Sequence, residues 1–361
     1  MTGTSIDGID VALVEVNGQF PDLQVRFIRG VSADLGELAA QLKAFANGST
    51  LTAAEVTRLA YDLGRTHVSA ISEFLYEDSP DLIVLHGQTI FHRPPLSWQM
   101  INPWPVAHNF GCDILFDLRG ADLAAGGEGA PITPLADFIL FRDESKPRII
   151  VNFGGFINYT YLPAGNSYSK GSIKEWIAEV RGGDVSICNQ LLDRISRELL
   201  KQPFDFGGLT AKSGTTNNQA VADLLARLRP SSTKIKSLGT GDEAFGWLEF
   251  YKSKLPPQDI LKSACVAIAQ TLAETLAPLG KVELYGAGGG MNNRELIEQI
   301  SRITGQTVQS TEVLRIPPQF REAVEIAILG ECSRTGVQIT LPRITGAKSS
   351  AISYCSIVQE K

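Results

Sequence analysis

Along this chain, apolar positions recur with two periods that mark out its elements. Residues 11–16 and 23–28 form β-type runs on either side of Asn17-Gly18, which predicts a hairpin. Thr52 is followed three residues later by Glu55, a capping box. Val56, Leu59, Ala60, Leu63, Val68, Ile71 and Leu75 then fall at helical spacing, so a helix covering a sheet is expected. Short apolar runs suited to strands buried on both faces occupy 82–85 and 149–153, with further strands at 114–119 and 281–285. Helical patterns span 188–200, 258–279, a stretch from Arg294, and 320–334. Glycine punctuates the strand ends near residues 3, 154 and 286.

A chain of 361 residues exceeds what one hydrophobic core usually serves, so two lobes are expected, 1–146 and 147–361, with the boundary at Lys146-Pro147. A net charge of −6 and a pI of about 5.4 argue against a nucleic-acid partner, which would need basic surface. The five cysteines are odd in number and lack paired spacing, which fits reduced thiols and gives no zinc site. No apolar run has the roughly 18 residues of a membrane span, and no basic stretch followed by an apolar one opens the chain. A cytoplasmic location is therefore expected.

Candidate chemistry gathers at the glycines. In the opening stretch, Gly3 and Gly8 free the backbone, Thr4 and Ser5 supply hydroxyls that suit a phosphate, and Asp7 and Asp10 suit a hydrated Mg²⁺. A plain turn leading into a strand is the competing reading. His86 and Gln88 stand at a strand end, where ligand groups of α/β sheets collect, and Trp98 and Trp104 offer a flat apolar wall or simply core. Arg119 and Asp122 precede Gly126, Gly127 and Gly129, a set suited to an anionic or hydroxylated ligand. Asp184 precedes a predicted helix and reads as its N-cap or, alternatively, as a general base. Residues 286–293 join a strand to a helix through glycines, as a nucleotide requires. Glu322 and Glu325, one helical turn apart, read first as a solvated face and second as a buried catalytic acid.

No GxxxxGK[ST] run is present, and no GxGxxG with an acidic partner follows a first strand. That excludes a P-loop NTPase and disfavours a dinucleotide dehydrogenase, leaving an actin-like phosphotransferase. The series Gly3-Thr4-Ser5-Ile6-Asp7-Gly8-Ile9-Asp10, His86-Gly87-Gln88-Thr89, Asp117-Leu118-Arg119, residues 124–131, Gly154-Gly155-Phe156-Ile157-Asn158, Gly288-Gly289-Gly290, Glu322-Ala323 and Thr345-Gly346-Ala347 resembles the anhydro-N-acetylmuramic acid kinase family, over nearly the whole chain and in order.

The resemblance implies an α/β fold of two actin-like, ribonuclease H-like lobes with a nucleotide cleft between them. It also implies ATP and Mg²⁺ as cofactors, an anhydro-sugar substrate and a homodimer. It makes Asp184 the base that activates water and Glu322 a second acid. It gives the phosphates to the stretch from Gly3 to Asp10 and to Gly154 and Gly155, and the adenosine to Gly288, Gly289 and Gly290. His86, Gln88, Arg119 and Asp122 are then expected at the sugar, and Asp7 at the metal. The chain departs from the family pattern at three places. The family's strand ahead of the glycine-threonine-serine loop would precede Met1. Val185, Ser186, Ile187 and Cys188 replace the threonine, glycine, proline and glycine of DTGPGN. Gly239-Thr240-Gly241-Asp242-Glu243 loosely replaces a threonine-glycine-arginine-acid segment. A kinase for another anhydro-sugar such as levoglucosan, or a non-catalytic binding paralogue, are the alternatives.

Overall fold

The structure, a computed structural model, describes residues 1–3, 6, 8–167, 173–228, 242–348 and 355–357. The fold is mixed α/β and divides into two compact units, Met1–Leu140 with Glu322–Lys361, and Phe141–Arg321. The second boundary differs from the expected 147–361 lobe, because the chain returns to the first unit at Glu322. Two features of that return are visible. A side-chain atom on Gly330, in the helix Arg321–Arg334, would collide with Val84, and Cys355–Ile357 pairs with a strand of the first unit.

The first unit starts with the expected hairpin, β1 (Gly8–Asn17) and β2 (Gln24–Asp34), antiparallel and turning through Gly18 at φ +87°. Four more strands follow: β3 (Leu82–Leu85), β4 (Gln88–Arg93), β5 (Leu96–Met100) and β6 (Asp113–Phe116). β4 and β5 form a second hairpin, and β3 runs parallel to β6. The helix Ala53–Leu75 begins with the expected capping box. The Thr52 hydroxyl accepts from the Glu55 amide at 3.3 Å, and the Glu55 carboxylate accepts from the Thr52 amide at 2.7 Å. Its apolar stripe buries Leu59, Leu63, Ile71 and Leu75, and Gly64 lets the carbonyl of Asn102 come close.

Among the described residues, the second unit holds a five-stranded sheet. Its strands are β7 (Arg148–Phe153), β8 (Phe156–Leu162), β9 (Arg181–Ile187), β10 (Glu283–Ala287) and β11 (Val308–Ser310), in the order β11-β10-β7-β8-β9. β7, β8 and β9 form an antiparallel meander, while β10 and β11 run parallel beside β7. One face of this sheet, carrying Val151, Phe153 and Ile157, packs with Ile268, Leu272 and Trp247 in the main core. The stretch Pro257–Leu279 is long and apolar enough to cross a membrane, which the sequence reading did not register, and 67% of its most apolar window is buried inside the protein. Cys355–Ile357, labelled β12, returns to the first unit and pairs antiparallel with β6.

Close contact at Gly330 makes the helix Arg321–Arg334 sensitive to one methyl group. Gly330→Ala is expected to destabilise the protein by about 1–3 kcal/mol through overpacking. Val84→Ala should relieve the clash, so the double variant should lie at least about 0.5 kcal/mol above the sum of the two single changes in urea unfolding. Strict additivity would show that the helix does not lean on β3 there.

Candidate active site

In the first unit, polar groups from four separated segments form one connected network. Arg119 follows β6. Its Nη1 donates to the Gly129 carbonyl at 2.7 Å, and its Nη2 and Nε reach His86 Nε2 at 3.1 and 3.4 Å. A guanidinium only donates, so His86 Nε2 is the acceptor and the ring proton sits on Nδ1, which donates to the Gly87 carbonyl at 2.9 Å. Burial, followed by the charge of Arg119, lowers the His86 pKa to about 3. His86 is thus a neutral clamp for Arg119, with both ring nitrogens engaged inside the protein.

Gln88 is fully buried; its Nε2 donates to the carbonyls of Gly3 at 3.2 Å and Thr89 at 3.3 Å, while its Oε1 has no donor among the described residues. Asp122, expected at the sugar, is held by groups of the protein. It is buried, with Oδ2 accepting from the Gly129 amide at 2.8 Å and Oδ1 from the Thr345 hydroxyl at 2.7 Å. Gly127 packs against the same carboxylate, and the Glu128 amide donates to the Thr345 carbonyl at 2.8 Å. Asp122 therefore shapes the glycine loop.

The opening loop is tightly drawn. The Ile6 amide donates to the Gly3 carbonyl at 3.2 Å, and the Asp10 amide to the Met1 carbonyl at 2.8 Å. Ile6 takes φ +51°, a strained conformation for a β-branched residue, held by burial of its side chain in a core with Ile9 and Leu63. Thr4, Ser5 and Asp7 lie outside the described residues. Gly8 lies at the start of β1, and Asp10 on that strand accepts from the Ser32 hydroxyl. The buried Met1 amine donates to the Asp10 carbonyl at 2.8 Å; burial lowers its pKa to about 6, against the opposing pull of the Asp10 and Glu322 carboxylates. Glu322 is thus placed electrically beside this loop. Glu325 is fully buried, which corrects the expectation of a solvated face.

The second unit brings together a different set. Gly154 and Gly155 turn β7 into β8, and the amides of Cys188, Asn189 and Gln190 donate to the carbonyls of Gly155 (2.7 Å), Gly154 (3.1 Å) and Gly155 (3.3 Å). Asn189 Nδ2 also donates to the Phe153 carbonyl at 3.0 Å. A side chain on Gly288, at φ +84°, would meet Asn152 Oδ1 at 2.6 Å, and one on Gly290 would meet Phe153 Cβ at 2.7 Å. Those two glycines let one turn pack on the other. Among the described residues, a side-chain atom on Gly289 would have Asn189 Nδ2 near it, at 3.9 Å, an ordinary contact distance.

Asp184 is not a helix cap. It lies within β9, four residues before Cys188, the N-cap of the helix Asn189–Ile195, and it stands opposite Asn158 of β8. Asn152, Asn158 and Asn189 carry no assigned role in the sequence reading. The signal for Asn152 was present, a lone polar residue inside the apolar run of β7. Trp98 and Trp104 are partly exposed, so neither is simply core. Gly239, Thr240 and Gly241 lie outside the described residues.

The family model of anhydro-N-acetylmuramic acid kinase matches residues 1–358. A relative of that name from Shewanella baltica is 32% identical over 368 positions, covering 98% of this chain and 95% of its own. Another from a Picosynechococcus species is 32% identical, covering 96% and 95%. Among solved structures, component A of (R)-2-hydroxyglutaryl-CoA dehydratase from Acidaminococcus fermentans aligns with 89% of this chain and 97% of its own, at 10% identity and a TM-score of 0.41. Xylulose kinase from Rhodospirillum rubrum aligns with 59% and 40%, at 14% identity and a TM-score of 0.31.

His86 and His67 are both buried and held neutral, each with a pKa lowered to about 3 chiefly by burial. The unfolded chain binds these protons near pH 6.5 and the folded chain does not, so their contribution is complete above that pH and is lost on acidification. Stability should fall between about pH 6.5 and 4 by up to about 1.4 kcal/mol per pH unit for each histidine. Urea unfolding from pH 7 to 5 measures the slope, and His67→Gln should flatten it; an unchanged slope would place the protonation elsewhere.

Proposed function

This chain belongs to the anhydro-N-acetylmuramic acid kinase family, and from that membership we propose that it opens 1,6-anhydro-N-acetylmuramic acid with water and phosphorylates O6 from ATP. The products are N-acetylmuramic acid 6-phosphate and ADP, a step of cell-wall recycling. The observation that carries the site-level reading is the position of Asp184 on β9, one strand away from the β7–β8 connection in which Gly154 and Gly155 leave the main chain bare. An acid beside such a turn suits a reaction that needs both a base and a phosphate cradle.

In this reading the Asp184 carboxylate takes a proton from water as the water oxygen bonds to the anomeric carbon. The bond from that carbon to O6 breaks, and O6 then takes the γ-phosphoryl group as ADP leaves. Glu322 serves as the second acid of the site. Arg119, fixed in place by His86 and Gly129, supplies positive charge for the lactyl carboxylate of the sugar. Gln88 Oε1 accepts a sugar hydroxyl, which satisfies its buried oxygen. The stretch from Gly3 to Asp10 and the Gly154-Gly155 turn offer main-chain amides to the phosphates, and Gly289 leaves room for the adenosine. Asp7 and Asp10 are the oxygen donors suited to Mg²⁺, which when bound neutralises phosphate charge. Most of the work is positioning. We further propose that the enzyme is a cytoplasmic homodimer. Buried free thiols at Cys112, Cys188, Cys265 and Cys332 suit a reducing compartment.

Incubation with Mg²⁺-ATP and the anhydro-muramic sugar should release ADP and the 6-phosphate in equal amounts, and faster than levoglucosan is turned over. No 6-phosphate, or a preference for levoglucosan, would overturn the substrate assignment. Asp184→Asn should lower kcat by about 10²–10⁴-fold, and wild-type turnover would remove Asp184 as the base. Light scattering should give twice the chain mass of 39.0 kDa; a monomer would refute the dimer.

A further inference from the structure

Residues 342–348 reach the loop 122–129 from the far end of the chain, and both stretches belong to the first unit. The short helix Pro342–Thr345 ends at Gly346, which takes φ +79° and turns the chain back. Hydrogen bonds run from this turn to the loop. The Thr345 hydroxyl donates to Asp122 Oδ1 at 2.7 Å, the Thr345 carbonyl accepts from the Glu128 amide at 2.8 Å, and the Lys348 amide donates to the Ala125 carbonyl at 2.9 Å. Thr345 and Asp122 are both buried. The Leu341 carbonyl lies 3.5 Å from the same hydroxyl, but a hydroxyl has one proton, and the short contact to a carboxylate is the stronger of the two.

Inside the loop the bonds form a circuit that ends on Arg119. The short helix Gly120–Ala124 begins just after Arg119 and carries Asp122, and the Gly120 amide donates to Asp117 Oδ1 at 2.9 Å. Asp122 Oδ2 accepts from the Gly129 amide at 2.8 Å, and the Gly129 carbonyl accepts from Arg119 Nη1 at 2.7 Å. Gly129 therefore has its amide held by the carboxylate while its carbonyl holds the guanidinium. The loop is drawn tightly onto Asp122, since a Cβ on Gly127 would meet Asp122 Oδ2 at 2.2 Å.

Resting on the reading of Arg119 as the partner of the sugar's lactyl carboxylate, we propose that Thr345 is a positioning residue for Arg119, acting through Asp122 and Gly129. The Thr345 hydroxyl holds one oxygen of Asp122 and so fixes the plane of that carboxylate. The other oxygen then places the Gly129 amide, and the Gly129 carbonyl sets the direction of the guanidinium. A guanidinium recognises a carboxylate through donors in a fixed fork, so its orientation matters as much as its charge. Threonine suits the position, because a β-branched side chain is stiff at χ1 and keeps its hydroxyl in one direction. Removing the hydroxyl takes a donor from a buried carboxylate, which must then turn toward another partner and carry Gly129 with it.

The test measures steady-state kinetics of the full chain with the anhydro-muramic sugar and Mg²⁺-ATP for Thr345→Val, Thr345→Ser, Arg119→Met and the double variant Arg119→Met/Thr345→Val, each checked for folding by thermal melting. Thr345→Val keeps the shape and removes the donor. It should raise KM for the sugar by about 10-fold, with kcat and KM for ATP within about 2-fold of wild type. Thr345→Ser, which retains the hydroxyl, should recover most of that loss. In the Arg119→Met background, Thr345→Val should add less than about 2-fold, because the group it positions is gone. A purely structural role would instead multiply with the loss of Arg119. An unchanged sugar KM in Thr345→Val, an equal loss in Thr345→Ser, or losses that multiply would overturn the proposal. Should Thr345→Val fail to fold, Thr345→Ala and Thr345→Ser decide by the same criteria. Arg119→Met separates the two levels. If it leaves the sugar KM at the wild-type value, the reading of Arg119 falls first; if it raises that KM and Thr345→Val does not, Arg119 stands and the role of Thr345 falls.

Discussion

The second unit depends on a short set of backbone hydrogen bonds, those from the amides of Cys188, Asn189 and Gln190 to the carbonyls of Gly154 and Gly155. The first amides of a helix have no partner within it. Here they are spent on a turn of the same unit, so the start of the helix Asn189–Ile195 and the β7–β8 connection are fixed as one piece. Asn189 extends the tie to the Phe153 carbonyl, and Phe153 in turn is the surface against which Gly288 and Gly290 pack. A glycine turn needs such external bracing, because bare main chain carries the greatest conformational entropy in the unfolded state.

The first unit solves a related problem with side chains. Arg119 would be a poorly directed cation if left to its own rotamers. The Gly129 carbonyl and a histidine kept neutral by burial give it one direction. Asp122 carries out the complementary task. Its two oxygens bind a main-chain amide and a hydroxyl, which compensates a buried carboxylate and locks the loop that supplies the Gly129 carbonyl. A network of this type is cooperative, so the loss of one member loosens the others.

Much of this was legible from the chain alone, for physical reasons that differ by element. The capping box at Thr52 and the runs of β3, β7 and β10 are local signals, and they fell where expected. The glycine turns were legible as turns, but their division of labour was not. Only coordinates distinguish Gly289, with space beside it, from Gly288 and Gly290, which are crowded by Phe153. Of the two readings offered for Asp184, the helix cap fails, because the residue lies in β9, where Val185, Ser186 and Ile187 alternate as a strand does. The burial of Asp122 depends on Thr345, 223 positions away in sequence, and no local pattern reports a partner at that distance. The return of the chain to the first unit at Glu322 was hidden for the same reason.

That return has a consequence for how the molecule comes into being. Phe141–Arg321 is a continuous segment, whereas the other unit is assembled from two stretches separated by it. The continuous piece can close its core as soon as it has been synthesised, but β6 waits for β12 and Val84 waits for Gly330. Pairings of such long sequence separation form late, because loop closure must precede their reward. Completion of the first unit therefore needs residues made on both sides of the second, so its sheet edge at β6 gains its partner only from the far end of the described chain.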